Sequence, residues 1–327
     1  MITRRYGKLP RPLWNPDMKT KIQLVLTLAI SMALSSAAAK AQDKPAAPVK
    51  PKSMQDILDA TQPGDWRQLD PNNTIYLELN SGRVVIELAP TFAPQHSKNI
   101  VTLAKEKYFD GLSINRSQDN FVVQWGDANG DDEKLKRSFI LAKQTLPAEF
   151  VRKSDGLAFT RLPDVDGWAP HVGFVEGMPA AQNPVNNQAW LTHCYGMVGA
   201  GRGMEPDSSN GSELYVVIGQ SPRQLDKNIT VVGRVVQGME LLSILQRGTG
   251  PLGFYEKAEQ RTPIKSIRVM ADVPLEDRTA IEILRTDTDS FTQLVEARRN
   301  RRDDWYKAPA GHIDVCNVPI PARSIKK

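Results

Sequence analysis

The segment Tyr108-Phe-Asp-Gly-Leu-Ser-Ile-Asn-Arg-Ser-Gln-Asp-Asn-Phe-Val-Val-Gln-Trp-Gly-Asp127 holds the side chains best placed to do chemistry. It offers one cation, Arg116, then a polar turn at 117–120, then a short strand entered at Phe121. Alternate residues of a strand share a face, so Val122 and Gln124 project together. A guanidinium, an amide and apolar surface therefore fall within one small area. Neither a nucleophile with its base nor a pair of carboxylates accompanies them. The chemistry open to such a set is binding and polarisation.

Those side chains need elements to hold them. Thr-Ile-Tyr-Leu-Glu-Leu (74–79), the turn Asn80-Ser81-Gly82 and Arg-Val-Val-Ile-Glu-Leu (83–88) carry a β-hairpin signal, ended by Pro90 and Pro94. The spacing of Ile100, Leu103 and Ala104 predicts a helix over 93–107, and residues 121–123 read as the next strand. A long irregular tract rich in Gly, Pro, Asn and Asp follows Asp127. Strands resume at 214–218 and 229–236, with a short helix at 239–246 and an alternating run at 264–270. Short strands, two short helices and no repeated βα rhythm predict a mainly β chain, a closed antiparallel barrel. From Asp272 a tail follows. Asp289 is expected to cap a helix whose Phe291, Leu294, Val295, Arg298 and Trp305 form a stripe packed on the barrel.

The ends bound the setting. Met18-Lys-Thr-Lys21, the uncharged apolar run from Ile22 to Leu34 and the small-x-small pattern Ala39-Lys40-Ala41 read as an export signal cut after Ala41. Residues 1–17 are expected to lie upstream of the true start. The apolar run is shorter than the roughly 20 residues a membrane span needs, so no stable membrane insertion is expected after cleavage. Seven of the 42 basic residues and one of the 37 acidic ones lie in 1–41, leaving 35 bases against 36 acids. The net positive charge of the chain thus belongs to the leader, and a nucleic-acid footprint is absent from the remainder. Two cysteines, Cys194 and Cys316, remain in what export makes an oxidising compartment, and they are expected to pair. The bridge would pin the tail beside the long insertion. The four histidines, His96, His171, His193 and His312, lack metal-ligand spacing, so neither metal nor cofactor is expected. Gly199-x-Gly201-x-Gly203 lacks dinucleotide-binding spacing and reads as a loop, and Ser212 has no His and Asp pattern around it.

With these residues in hand, the chain resembles the cyclophilins. Their segment Tyr-Asp-Gly-x-x-Phe-His-Arg-x-x-x-x-Phe-x-x-Gln-Gly-Gly-Asp is matched in register by Arg116, Phe121, Gln124, Gly126 and Asp127. Glu87, Leu88, Pro90, Ala93 and Pro94 around the hairpin are similar to theirs. So are Leu146-Pro-Ala-Glu-Phe150, Asn210-Gly-Ser-Glu-Leu-Tyr215, Leu225-Asp226 and Thr230-Val-Val-Gly-Arg-Val-Val-Gln-Gly-Met239. The ordered series covers roughly 74–272. The resemblance implies a cyclophilin-like barrel capped by two helices and a peptidyl-prolyl cis-trans isomerase acting on proline-containing polypeptides. It implies that Arg116 donates toward the prolyl nitrogen, that Gln124 positions Arg116, and that Phe121, Val122, Tyr215 and Leu225 grip the proline ring.

Several family positions differ here. Asn115 stands where a histidine is usual, Glu213 for a site glutamine, and Leu214-Tyr215 for a Phe-Phe pair. Gly201-Arg202 replaces an Ala-Asn groove segment, Gln224 a tryptophan, and Ile229 a late histidine. Gly201, Arg202, Glu213 and Ile229 are expected at the groove. The expected organisation is a leader at 1–41, a linker and short N-terminal segment at 42–73, the isomerase domain at 74–272 and an extension at 273–327. An insertion at about 151–195 is expected to hold local strands or packed aromatics and to border the cleft. The competing readings are a periplasmic proline-segment binder or chaperone with little or no isomerase activity, and a scaffold supporting the insertion and tail.

Overall fold

The computed structural model describes residues 52–303 and 305–325. The expected leader and the first part of the expected linker, residues 42–51, lie outside the described residues. Ser53 opens helix α1 (Met54–Asp59): its Oγ accepts from Asp56 N, and the Asp56 carboxylate accepts from Ser53 N. Strand β1 (Trp66–Gln68) comes next, then the hairpin β2 (Thr74–Leu79) and β3 (Gly82–Leu88). Helix α2 (Pro94–Lys105) starts on a proline and has no side-chain cap of its own. Its first free N–H groups, on Gln95 and His96, instead donate to the Glu149 carboxylate at 3.0 Å each. Burial pushes the Glu149 carboxyl up, but those donors and the His96 ring outweigh it and hold it below the usual range.

Strands β4 (Ser113–Ser117) and β5 (Val122–Gly126) carry the chemistry-bearing segment. Five strands then fall inside the predicted insertion: β6 (Arg152–Lys153), β7 (Thr160–Arg161), β8 (His171–Val175), β9 (Met178–Asn183) and β10 (Gln188–Leu191). The chain returns through β11 (Met197–Ala200), β12 (Leu214–Val217), β13 (Val231–Gln237), helix α3 (Met239–Ser243) and β14 (Thr262–Val269). Strand β15 (Ile281–Leu284), helix α4 (Asp289–Arg299) and β16 (Ala322–Ser324) form the tail.

Eight strands close an antiparallel barrel in the order β11-β12-β5-β4-β14-β2-β3-β13, with β13 pairing back to β11. Ile75, Leu77, Leu79, Val84, Ile86 and Leu88 of the hairpin fill its interior, where Trp125, Leu214 and Val216 join them, and α2 adds Ile100, Leu103 and Ala104. The other hairpin face is covered too. Tyr76 and Val85 pack against Ile281 and Ile283, in a three-stranded sheet that unites β1, β15 and β16. Burial on both faces explains why the hairpin reads as a near-continuous apolar run.

The insertion forms its own five-stranded sheet, β6-β10-β9-β8-β7, as the expectation of local strands required. Its Phe174, Ala181 and Trp190 share a second core with Ile57, Trp66 and the tail residues Phe291, Leu294 and Val315. Cys194 and Cys316 are bonded beside that core.

Four sequence expectations need correction. Helix α4 is capped by Thr288, whose Oγ1 accepts from Phe291 N, and Asp289 is the first helical residue. Its stripe packs on the insertion, Phe291 against Phe174 with ring centroids 5.2 Å apart, and not on the barrel interior. Arg298 is exposed, and the helix ends before Trp305, which is 79 % exposed. Gly199 belongs to strand β11 instead of a loop.

Candidate active site

Three adjacent strands bring the predicted residues together on the outside of the barrel. Along β5, Val123 and Trp125 point into the core while Val122 and Gln124 point out. On β12, Leu214 and Val216 face the core while Tyr215 and Val217 face out. Arg116 on β4 pairs with Gln124, and Gln124 pairs with Tyr215, so the three stand abreast. A bulge between Ile114 and Arg116 leaves Asn115 as the extra residue and keeps Arg116 outward.

The Arg116 guanidinium is held on three sides. Its Nε donates to the Leu252 carbonyl at 2.7 Å, one Nη to Gln124 Oε1 at 2.8 Å and the other to Gln118 Oε1. The rings of Phe121 and Phe254 flank it, with centroids 5.6 and 5.2 Å from Cζ. Three of the five N–H groups of an arginine are thus engaged, and two remain for a ligand. Burial lowers the Arg116 pKa, and the nearby Glu213 charge works the other way. Leu252 adopts φ +57°, a left-handed conformation unusual for leucine, in the loop that aims its carbonyl at the guanidinium.

Gln124 links cation to carboxylate, its Nε2 donating to Glu213 Oε1 at 2.6 Å. Burial raises the Glu213 pKa, Asp131 adds to the rise, and the Gln124 bond and Arg116 oppose it.

Beside this polar chain lies an apolar patch of Val122, Tyr215 and Val217, with Phe121 and Ile229 against it. The Tyr215 ring lies over Gly199, where any Cβ would overlap it. That close approach is why β11 carries a glycine there. The Tyr215 hydroxyl is anchored from behind: His193 Nε2 stands 2.9 Å away, and His193 Nδ1 stands 2.9 Å from Asp226 Oδ1. Asp226 also binds Arg223 Nε at 2.6 Å, and Arg223 reaches Asp166 of the insertion. Burial pushes the Tyr215 phenol far up. It pushes Asp226 up as well, but His193 and Arg223 outweigh it and keep that carboxyl below its usual range.

The predicted groove residues divide. Glu213 and Gly201 adjoin each other, a Cβ on Gly201 falling 3.1 Å from Glu213 Oε2. Ile229 packs on the apolar patch. Leu225 does not join that cluster: it sits half-buried on the 3-10 turn Arg223–Leu225, whose position is set by the Arg223–Asp226 pair. Arg202 turns away, donating to the carbonyls of Asn228, Gly203 and Met204 and lying over the Phe150 ring. The insertion reaches the pocket through buried His193 and Asp166.

Sequence reasoning missed Gln118, Leu252, Phe254 and the chain His193–Asp226–Arg223–Asp166. Asp226 was within a matched motif, and Gln118 stands two residues from Arg116. The remainder carried no local signal.

The family described as "Cyclophilin type peptidyl-prolyl cis-trans isomerase/CLD" matches residues 74–270. A "Probable peptidyl-prolyl cis-trans isomerase" of Brucella suis is 27% identical over 180 residues, covering 55% of this chain and 74% of the relative. "Peptidyl-prolyl cis-trans isomerase-like 1" of Homo sapiens is 26% identical over 216 residues, covering 66% and 98%. Among solved structures, cyclophilin AquaCyp293 from Hirschia baltica aligns with a TM-score of 0.65 at 24% identity, over 84% of this chain and 99% of that one. The last likeness is one of fold.

Proposed function

The chain belongs to the cyclophilin-type peptidyl-prolyl cis-trans isomerase family, and on that premise we propose that it isomerises Xaa-Pro bonds of exported proteins at the Arg116–Gln124 face of its barrel. The observation that carries the reading is the Arg116 guanidinium, with two N–H groups to spare, fixed beside the patch of Phe121, Val122, Tyr215, Val217 and Ile229.

Amide resonance holds the Xaa-Pro bond planar behind a barrier of roughly 18–20 kcal/mol. No bond has to break, so it suffices to bind the twisted state better than either planar one. As the bond twists, conjugation is lost and the prolyl nitrogen becomes an acceptor. Arg116 donates to it at that moment only, which is what makes the interaction catalytic. The apolar patch holds the proline ring, so that the other half of the bond turns against a fixed end. Gln124 fixes the guanidinium and faces the backbone of the residue before proline. A donor already oriented in a half-buried site reorganises little during the twist.

Export rests on the sequence. The segment 18–41 reads as a cleavable signal, and a bonded Cys194–Cys316 pair suits an oxidising compartment such as the periplasm. Producing the full chain in a bacterial host tests this part. The expected result is periplasmic protein whose N-terminal residue is Gln42 and which speeds a proline-limited refolding reaction. Cytoplasmic protein retaining Met18 would contradict export. Catalysis of a short peptide without any effect on refolding would contradict folding assistance.

A further inference from the structure

At the end of the groove away from the proline patch stands a carboxylate that the isomerisation step does not use. Glu213 Oε1 accepts from Gln124, while Oε2 has no hydrogen-bond partner among the described residues. Two glycines, Gly201 and Gly126, also adjoin Glu213. A Cβ on Gly201 would fall 3.1 Å from Oε2, and one on Gly126 would fall 3.2 Å from the Glu213 Cα and Cγ. With no side chain on either, a passing polypeptide can approach the carboxylate closely.

Its place along the groove follows from the strand. Glu213 stands just before β12, two residues ahead of Tyr215, and its bond to Gln124 puts its carboxylate on the outer face that Tyr215 also occupies. On the isomerase reading the proline ring lies at Tyr215 with Arg116 and Gln124 at the peptide bond before it, and Glu213 lies beyond Gln124. An extended client therefore passes Glu213 with the side chains one or two residues ahead of its proline.

We infer that Glu213 makes the groove select clients with a lysine or arginine one or two residues before the proline. The inference rests on the isomerase reading above and adds its substrate class. Arg116 is the cation whose charge acts on Glu213. Arg202 is turned away with three carbonyls on its guanidinium, and Arg116 faces Glu213 across Gln124. Asp131 adds a second negative charge on the Glu213 side. A carboxylate oxygen in a half-buried site pairs with a cation more strongly than an exposed one, since water screens it less.

The experiment measures kcat/KM for capped proline peptides carrying Lys, norleucine or Glu at the first or second position before proline. Norleucine keeps the alkyl stem and lacks the charge. The expected order is Lys over norleucine over Glu at one of the two positions, with Lys favoured about fivefold over norleucine. Glu213→Gln is expected to abolish that ratio. In the wild-type chain, lowering the pH through the raised Glu213 pKa is expected to shrink the Lys-to-norleucine ratio as the carboxylate takes a proton, a readout that needs no folded variant. Equal rates for all three peptides from an active enzyme would overturn the inference and leave the isomerase reading standing. No turnover of any peptide would overturn both.

Discussion

Replacing Arg116 by alanine is expected to lower kcat/KM on a short Xaa-Pro peptide by about 10²–10³-fold, the loss seen when one pre-oriented donor is removed from a catalytic site. The variant loses the cation that lies beside the apolar patch with N–H groups to spare. The fold is expected to survive. Arg116 lies on the outer face of β4, and its partners are a loop carbonyl and two amides at a groove open to water. Far-UV circular dichroism should match wild type, with the melting temperature lowered by a few degrees at most. Arg116→Lys separates charge from geometry. A lysine keeps the charge but cannot hold Leu252, Gln124 and Gln118 at once, so most of the activity should still be lost. Near-wild-type turnover by the alanine variant would remove Arg116 from the mechanism.

The second large effect concerns the disulfide. Cys194 and Cys316 are 122 residues apart in sequence. In the chain-entropy account, closing a loop of that order stabilises the folded state by about 4–5 kcal/mol, less any strain. The bond also ties the tail, which contributes Phe291, Leu294, Val295 and Val315, to the insertion sheet. A Cys194→Ala, Cys316→Ala chain, compared with the oxidised wild type in guanidinium, should show a midpoint lowered to match a loss of that size. Reductant should shift the wild type alike and leave the double variant unmoved. A midpoint change worth less than about 1 kcal/mol would show that the tail is held by its packing alone. Because Cys194 follows His193, which holds the Tyr215 hydroxyl, some activity should be lost with the bond.

Much of this was legible in the sequence, for identifiable reasons. The β2–β3 hairpin announced itself because both of its faces are buried, one by the barrel interior and one by the three-stranded sheet. Gln124 and Val122 were legible because strand alternation alone puts them on one face. Strand β4 was hidden. Ser113-Ile-Asn-Arg-Ser117 has one core residue, Ile114, an outer face that is the site itself, and a bulge that breaks the alternation. Strand β11 was hidden because Gly199 is there to admit the Tyr215 ring, and a glycine followed by two more at alternate positions reads as a loop. His193 and the Leu252 carbonyl were out of reach for a different reason: they meet Tyr215 and Arg116 across 22 and 136 residues, through contacts made only once the barrel closes. The stripe on α4 was half right. Phe291, Leu294 and Val295 are buried, but their partner is the insertion sheet, whose strands Pro, Gly and Asn had made look irregular.

The most direct test of the account is cis–trans exchange of a short Ala-Pro peptide, followed by NMR with a catalytic amount of the chain beginning at Gln42. Uncatalysed exchange takes tens to hundreds of seconds at about 25 °C, far too slow to broaden the separate cis and trans lines. The protein is expected to bring exchange into the range where those lines broaden or cross-peaks join them, and Arg116→Ala is expected to abolish the effect. Lines that stay as sharp and unconnected with folded wild-type protein as without it would contradict the account.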